Sequence, residues 1–150
     1  MHVLVTGAAG FIGYALAQRL LARGDIVIGI DDMNAYYQVS LKEDRVRALQ
    51  EAGGNRFAFH RQDFADMAGL AAALDGVAID RIVHLGAQAG VRYSIENPHA
   101  YVQANLVGHL NMLEVARHRG LDHMVYASSS SVYGGNTKLP FAVEDRTDHP

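Results

Sequence analysis

Gly7, Gly10 and Gly13 stand in the run Gly7-Ala-Ala-Gly-Phe-Ile-Gly13, directly after an apolar β-branched stretch and directly before one of helical period. A tight turn would use Gly7, close approach of backbone to a pyrophosphate would use Gly10, and close helix–strand packing would use Gly13. The free N–H groups at the helix start, beside Phe11 and Ile12, could then bind phosphate. The spacing G-x-x-G-x-x-G is one residue different from the commoner dinucleotide fingerprint, and three glycines in such a turn could also serve packing alone. The context asked of the motif is present: a strand before it, a helix after it, and acidic residues, Asp31 and Asp32, closing the next strand-like run. The carboxylate of Asp31 can accept from adenosine ribose hydroxyls. It would repel a ribose 2′-phosphate by roughly 4 kcal/mol per unit-charge pair at 4 Å in a partly wet site. No Arg or Lys lies between Asp31 and Val39 to offset it, so the expectation is NAD rather than NADP. Asp32 reads equally as a solvated turn residue. Asp63 and Phe64 follow the third strand, where an adenine ring should lie; Asp63 could accept from its amine and Phe64 pack on it, or Asp63 could cap the next helix.

These residues need a scaffold, and the chain reads as one. Apolar runs at 2–6, 26–30, 56–60, 80–85 and 123–127 alternate with stretches of helical period at 11–23, 39–51, 67–74 and 98–119. Asn97 and Pro98 mark the last helix start and Gly120 its end, with a 3.6-residue stripe of Val102, Leu106, Leu110, Leu113 and Ala116 or Arg117. Strand–helix alternation implies an α/β fold, a doubly wound parallel sheet of Rossmann type with five strands in the order 3-2-1-4-5. Ligands then bind at the carboxyl ends of the strands.

Composition narrows the classes. With 49% hydrophobic residues and a net charge of −3, the chain can form a core and lacks the signature of disorder. Thirteen basic against sixteen acidic residues leave no footprint for nucleic acid. Absence of cysteine excludes disulfides and thiolate chemistry and fits a reducing, cytoplasmic setting. The uncharged segment 3–17 is too short for a membrane span and lacks the basic flank of a secretory signal. The eight histidines form neither i,i+4 pairs nor a ligand cluster, so no metal site is expected, and His84 reads as a packed strand-end residue.

Three blocks together carry a more specific resemblance. Gly7-Ala-Ala-Gly-Phe-Ile-Gly13, His84-Leu-Gly-Ala-Gln-Ala-Gly-Val-Arg-Tyr-Ser94 and Ala127-Ser-Ser-Ser-Ser-Val-Tyr-Gly-Gly135 resemble the extended short-chain dehydrogenase/reductases. With Glu96-Asn-Pro98 and Asn136-Thr-Lys-Leu-Pro140, they look most like UDP-glucuronate 4-epimerases. The resemblance implies NAD as cofactor, a UDP-sugar (UDP-glucuronate or UDP-galacturonate) as substrate, and a homodimeric full-length enzyme. NAD⁺ would take hydride from C4 of the sugar and return it to the other face, while a Tyr, assisted by a Lys, moves the hydroxyl proton. Ser129 matches the Ser/Thr that hydrogen-bonds the C4 oxygen. Ser130 and Ser131 then neighbour the substrate, although small hydroxyl residues suit any crowded strand exit.

The same block bears on reaction type. Related 4,6-dehydratases carry Asp and Glu after the catalytic Ser/Thr, and nucleotide-sugar decarboxylases commonly carry Glu where Ser131 stands; serines at both positions favour plain epimerisation. Leu85, Gly86 and Ala87 are implied at the cofactor, with Gly86 replacing the usual Ala and leaving slightly more space beside it. Gln88 and Arg92 are implied at the substrate, where Arg92 could pair with a glucuronate carboxylate or lie on the surface. Asn105 matches a position facing the cofactor end of the sheet, or else hydrogen-bonds backbone.

The family's Tyr-x-x-x-Lys pair is absent: the two lysines, Lys42 and Lys138, follow Gln38 and Gly134 by four residues. The expectation is an N-terminal, NAD-binding part of a longer epimerase whose sugar-nucleotide domain lies outside these 150 residues. An inert nucleotide-binding or interaction module is the alternative. A sheet edge at 124–129 without charge or proline to block it favours the first.

Overall fold

A strand buried on both faces must be apolar on both, and the run after Met1 satisfies this. The computed structural model describes residues 1–148. It contains β1 (His2–Thr6), α1 (Phe11–Arg23), β2 (Ile26–Asp31), α2 (Val39–Gly53), β3 (Phe57–Arg61), α3 (Met67–Ala73) and β4 (Arg81–His84). These are followed by α4 (Val91–Glu96), α5 (Pro98–Tyr101), α6 (His109–His118) and β5 (Met124–Tyr126). Alternate strand residues leave the sheet in opposite directions and build two cores. Val3, Val5 and Val27 pack with Ala17, Leu20 and Leu21 of α1 and Val46 and Leu49 of α2. Leu4, Ile28, Ile30 and Ile82 pack with Leu70, Met112 and Val115 on the other side.

All strand pairings are parallel, in the order β3-β2-β1-β4-β5. The expected doubly wound, Rossmann-type sheet is therefore the fold. Because β1 pairs with β2 on one side and β4 on the other, the winding reverses there and opens a crevice at the carboxyl ends.

The differences from the expected elements lie mainly in the second half. The first strand and first helix have the expected bounds, whereas β3 starts one residue later because a short 3₁₀ turn, Gly54–Arg56, takes up Arg56. The crossover after β4 holds a helix, α4, that was not expected. The single helix expected over 98–119 is interrupted: Val102–Gly108 winds with the wider π pattern.

Two contacts accompany that wider stretch. Asn105 reaches out to the main chain of Gln88, and Gly108 lies so close to Phe64 that a Cβ there would stand 2.4 Å from the ring. Most of the expected apolar stripe faces outward, with Val102, Leu106, Leu110 and Leu113 exposed, and only Ala116 of it packs against the core. Ala104, Gly108, Met112 and Val115 face the core instead. Position 108 is glycine where the Phe64 ring fills the space a Cβ would need.

Candidate functional site

The glycine turn has the geometry its spacing suggested. Gly7 sits at φ +67°, and a Cβ on it would meet the main chain of Gly86 at 2.9 Å, so neither conformation nor space admits another residue. A Cβ on Gly13 would lie 2.0 Å from the Gly7 carbonyl oxygen, which makes Gly13 the packing glycine. Gly10 caps α1 without any side chain over the helix end. Phe11 and Ile12 are exposed, leaving the positive end of α1 open to an anion.

Asp31 closes β2 and is buried, with both carboxylate oxygens engaged. Oδ2 accepts from Ala9 N–H at 3.2 Å, and Oδ1 accepts from Met33 N–H at 2.9 Å and from Lys42 Nζ at 3.5 Å. This corrects the expectation that no cation offsets Asp31. Lys42, four residues into α2, is itself buried and paired with it. Its ammonium also donates to Asn34 Oδ1 at 3.3 Å and stands 4.7 Å from the centre of the Tyr37 ring. Arg45, one turn further along α2, donates to the Ala9 carbonyl at 3.2 Å. Asp32, by contrast, spends its two oxygens on the N–H and Nδ2 of Asn34, the behaviour of a turn residue.

Beneath the crevice, Thr6 Oγ1 accepts from the N–H groups of Leu85 at 3.2 Å and Gly86 at 3.0 Å. With both lone pairs used, its own proton goes to His84 Nδ1 at 2.7 Å. His84 is therefore the neutral Nε2–H tautomer. Burial, and secondarily the neighbouring His109, lower its pKa to about 4. His84 thus has the packed role expected of it, and it stitches β1 and β4 to the turn facing Gly7.

Gly86 also departs from expectation. A Cβ there would stand 2.5 Å from the Phe64 ring, so the space freed by the missing methyl is filled by Phe64 rather than left beside a ligand. Phe64 is buried between Gly86 and Gly108 and packs edge-on against His84 at 5.1 Å, which makes it the floor of the crevice. Asp63 accepts from Ala65 N–H at 2.8 Å, while the cap of α3 is Asp66 and not Asp63.

A pocket of about 1180 Å³ lies over these groups. It brings together the glycine turn (Gly7 and 10–13), Asp31, Asp32, Asp63, Phe64, Leu85, Gly86, Ala87 and Gln88. Asn105 lies behind it: its amide accepts from Gln88 N–H at 2.9 Å and donates to Gln88 C=O at 3.0 Å, holding that loop. The remaining expected residues are not in the pocket wall. Arg92 is exposed on α4. Ser129, Ser130 and Ser131 are exposed beyond the carboxyl end of β5, with Ser129 Oγ accepting from Ser131 N–H at 3.2 Å. No three metal-ligating side chains come together among the described residues. No helix there is long and apolar enough to cross a membrane.

Sequence reasoning missed Lys42, Arg45, Asn34, Tyr36, Tyr37 and Tyr93, all of which line the pocket. A signal for Lys42 was present: 42, 46, 49 and 53 share one face of α2, and that face is the buried one. Tyr36 and Tyr93 reach each other from the crossovers after β2 and β4, their ring centres 5.0 Å apart. That contact needs two distant crossovers brought together by β2 and β4 flanking β1, and nothing in either crossover's own residues signals the other.

Known proteins agree with this architecture. The chain is 50% identical over 150 residues to a probable UDP-glucuronate 4-epimerase of Rhizobium meliloti, matching 100% of this chain and 43% of that protein. It is 46% identical over 151 residues to UDP-glucuronate 4-epimerase 2 of Arabidopsis thaliana, covering 34% of that protein. The chain thus spans less than half the length of these curated relatives. Among solved structures, it superposes on a mutant UDP-glucuronic acid 4-epimerase of Bacillus cereus, in complex with UDP-4-deoxy-4-fluoro-glucuronic acid and NAD. The TM-score is 0.81 at 35% identity, covering 97% of this chain and 45% of that one. A Thermus thermophilus UDP-glucose 4-epimerase complexed with NAD gives 0.77 at 34% identity, over 96% and 43% of the two chains. The model of the family described as GDP-mannose 4,6 dehydratase matches residues 4–150, essentially the whole sequence, and the chain belongs to that family.

Proposed function

We propose that these residues are the dinucleotide-binding part of an NAD-dependent UDP-sugar 4-epimerase acting on UDP-glucuronate, the sugar-nucleotide domain belonging to the remainder of a longer protein. The observation that carries the cofactor reading is the glycine turn with Asp31 at the far end of one pocket, at the reversal of the sheet. The pyrophosphate would lie on the N–H groups of 11–13 and against Gly7 and Gly10. Asp31 Oδ2 would accept from the adenosine ribose, with Asp32 and Asp63 toward its outer side. Leu85, Gly86 and Ala87 would flank the nicotinamide end, with Asn105 holding Gln88 in place. When bound, NAD⁺ supplies a hydride acceptor for C4 of the sugar and the donor that returns hydride to the other face.

The reaction type rests on the serines. A 4,6-dehydratase needs an acid and a base beside the sugar to eliminate water, and Ser130 and Ser131 supply neither. Ser129 would donate to or accept from the C4 hydroxyl, and Arg92 would pair with the glucuronate carboxylate once substrate bridges the open end of the site. No Tyr stands four residues before Lys42 or Lys138, so the Tyr-x-x-x-Lys pair that moves the proton would belong to the remainder of the longer protein. The full protein is read as a cytoplasmic homodimer, with the exposed Leu106, Leu110 and Leu113 available to subunit contact.

The test is nucleotide-sugar turnover by the full-length protein, with and without added NAD⁺. Interconversion of UDP-glucuronate and UDP-galacturonate is expected, and formation of a 4-keto-6-deoxy sugar would overturn the reading. Arg92→Ala should impair UDP-glucuronate far more than UDP-glucose; equal losses on both would remove that role.

A further inference from the structure

We infer that Lys42 is a specificity-determining residue of the ribose end of this pocket, setting with Asp31 whether an adenosine 2′-hydroxyl or 2′-phosphate is accepted. The inference rests on the dinucleotide reading above and concerns a residue that reading does not use.

Lysine is almost never buried without a partner, and Lys42 is only 3% exposed. Its ammonium is shared among Asp31 Oδ1 at 3.5 Å, Asn34 Oδ1 at 3.3 Å and the Tyr37 face. A strong charge-assisted bond would be about 2.8 Å long, so the ammonium is held near Asp31 without being consumed by it. Asp31 Oδ2 meanwhile has one protein donor, Ala9 N–H, and keeps capacity for a ribose hydroxyl.

The charged groups lining the pocket are the carboxylates Asp31, Asp32 and Asp63 and the cations Lys42 and Arg45. Asp32 is turned to Asn34, and Asp63 accepts from the N–H of Ala65. A 2′-phosphate would therefore meet one facing carboxylate and two cations, so that Asp31 alone bars it. Removing that carboxylate leaves Lys42 and Arg45 as phosphate partners. Removing Lys42 leaves the carboxylate without its counter-charge and strengthens the bar. A lysine that only packs would weaken both dinucleotides alike.

The experiment is calorimetric titration of nucleotide-free full-length protein with NAD⁺ and with NADP⁺, read as the ratio of the two Kd values. In Lys42→Met the preference for NAD⁺ should rise at least about tenfold, and in Asp31→Asn it should fall at least about tenfold. In the double variant, with both charges gone, it should return to within about threefold of the wild type. Asp31→Asn leaves a buried ammonium unpaired and can fail to fold. The comparison of wild type, Lys42→Met and the double variant then decides, since without the lysine Asp31 keeps the N–H groups of Ala9 and Met33 and the double variant has neither charge. An unchanged ratio in Lys42→Met, with NAD⁺ still bound, overturns the inference and leaves the cofactor reading standing. A wild-type protein that binds neither dinucleotide overturns both.

Discussion

The two ends of the site are built by different means. At the carboxyl ends of β1 and β2 the functional groups are buried and already satisfied: Asp31 holds two main-chain N–H groups and an ammonium. Thr6 holds two more N–H groups and donates to His84. Beyond β5, Ser129, Ser130, Ser131 and, on α4, Arg92 are exposed, and the serines bond chiefly to one another. The first end is preorganised by the same contacts that hold the sheet together. The second presents exposed side chains, which the proposed function assigns to the substrate. Substitutions at the first end should therefore be felt in stability, and substitutions at the second in turnover only.

The largest effect expected is at the shared floor. Phe64→Ala removes a ring enclosed by Gly86, Gly108 and His84 and should cost about 3–5 kcal/mol in denaturant unfolding. A loss below about 1 kcal/mol would show that the floor collapses without consequence and would break the contrast.

Next in size is the pH response of His84. Its folded pKa of about 4 lies below the unfolded value near 6.5, so the unfolded chain binds the extra proton between them. The stability held by neutral His84 is complete above about 6.5 and is lost as pH falls toward 4, by about 3 kcal/mol. His84→Gln should flatten that part of the pH–stability curve. Identical slopes for the two proteins would place the titration elsewhere.

Thr6→Val should cost about 1–3 kcal/mol, because it strips two half-buried N–H groups and the buried His84 Nδ1 of their partner at nearly constant volume. Thermal melts and NAD⁺ titration would be measured together, and the melting temperature and affinity should fall together if the 85–86 turn is held by this hydroxyl.

The smallest stability effect belongs to the open end. Ser129→Ala should change unfolding by no more than about 0.5 kcal/mol. On the proposed epimerase function, the same substitution in the full-length protein should slow UDP-glucuronate turnover by about 100-fold or more. A stability loss equal to that of Thr6→Val would erase the distinction between the two ends.

How much was legible follows the same division. β1, α1 and the glycine turn could be read because their causes are local: an unbroken apolar run, a helical period, a positive φ at Gly7, and a Gly13 that packs on the Gly7 carbonyl. Asp31 could be read because it closes a strand. The charge that faces it could not, since Lys42 is eleven residues away and meets it only after α2 folds back over the sheet. Helix 98–119 was read as continuous from its period and its Asn-Pro start, and Asn97 does cap it. Its π stretch lies beside Asn105 bonded to Gln88 and Gly108 against Phe64, partners 17 and 44 residues away. Those contacts leave no trace in a window of one or two turns.

The sequence by itself determined the alternation of strands and helices, and so the parallel sheet, its order and the crevice at the carboxyl end of β1. It also determined the glycine turn, because only glycine tolerates Gly7's conformation and Gly13's closeness to the Gly7 carbonyl. Tertiary structure alone decided the electrostatics and the facing of the helices. It set Lys42 against Asp31, fixed the tautomer of His84 through Thr6, and turned Leu106, Leu110 and Leu113 outward. The physical reason is range. Hydrophobic period and backbone sterics act between neighbours along the chain, whereas a buried charge, a shared proton and a filled cavity are settled by whichever distant side chain the fold delivers.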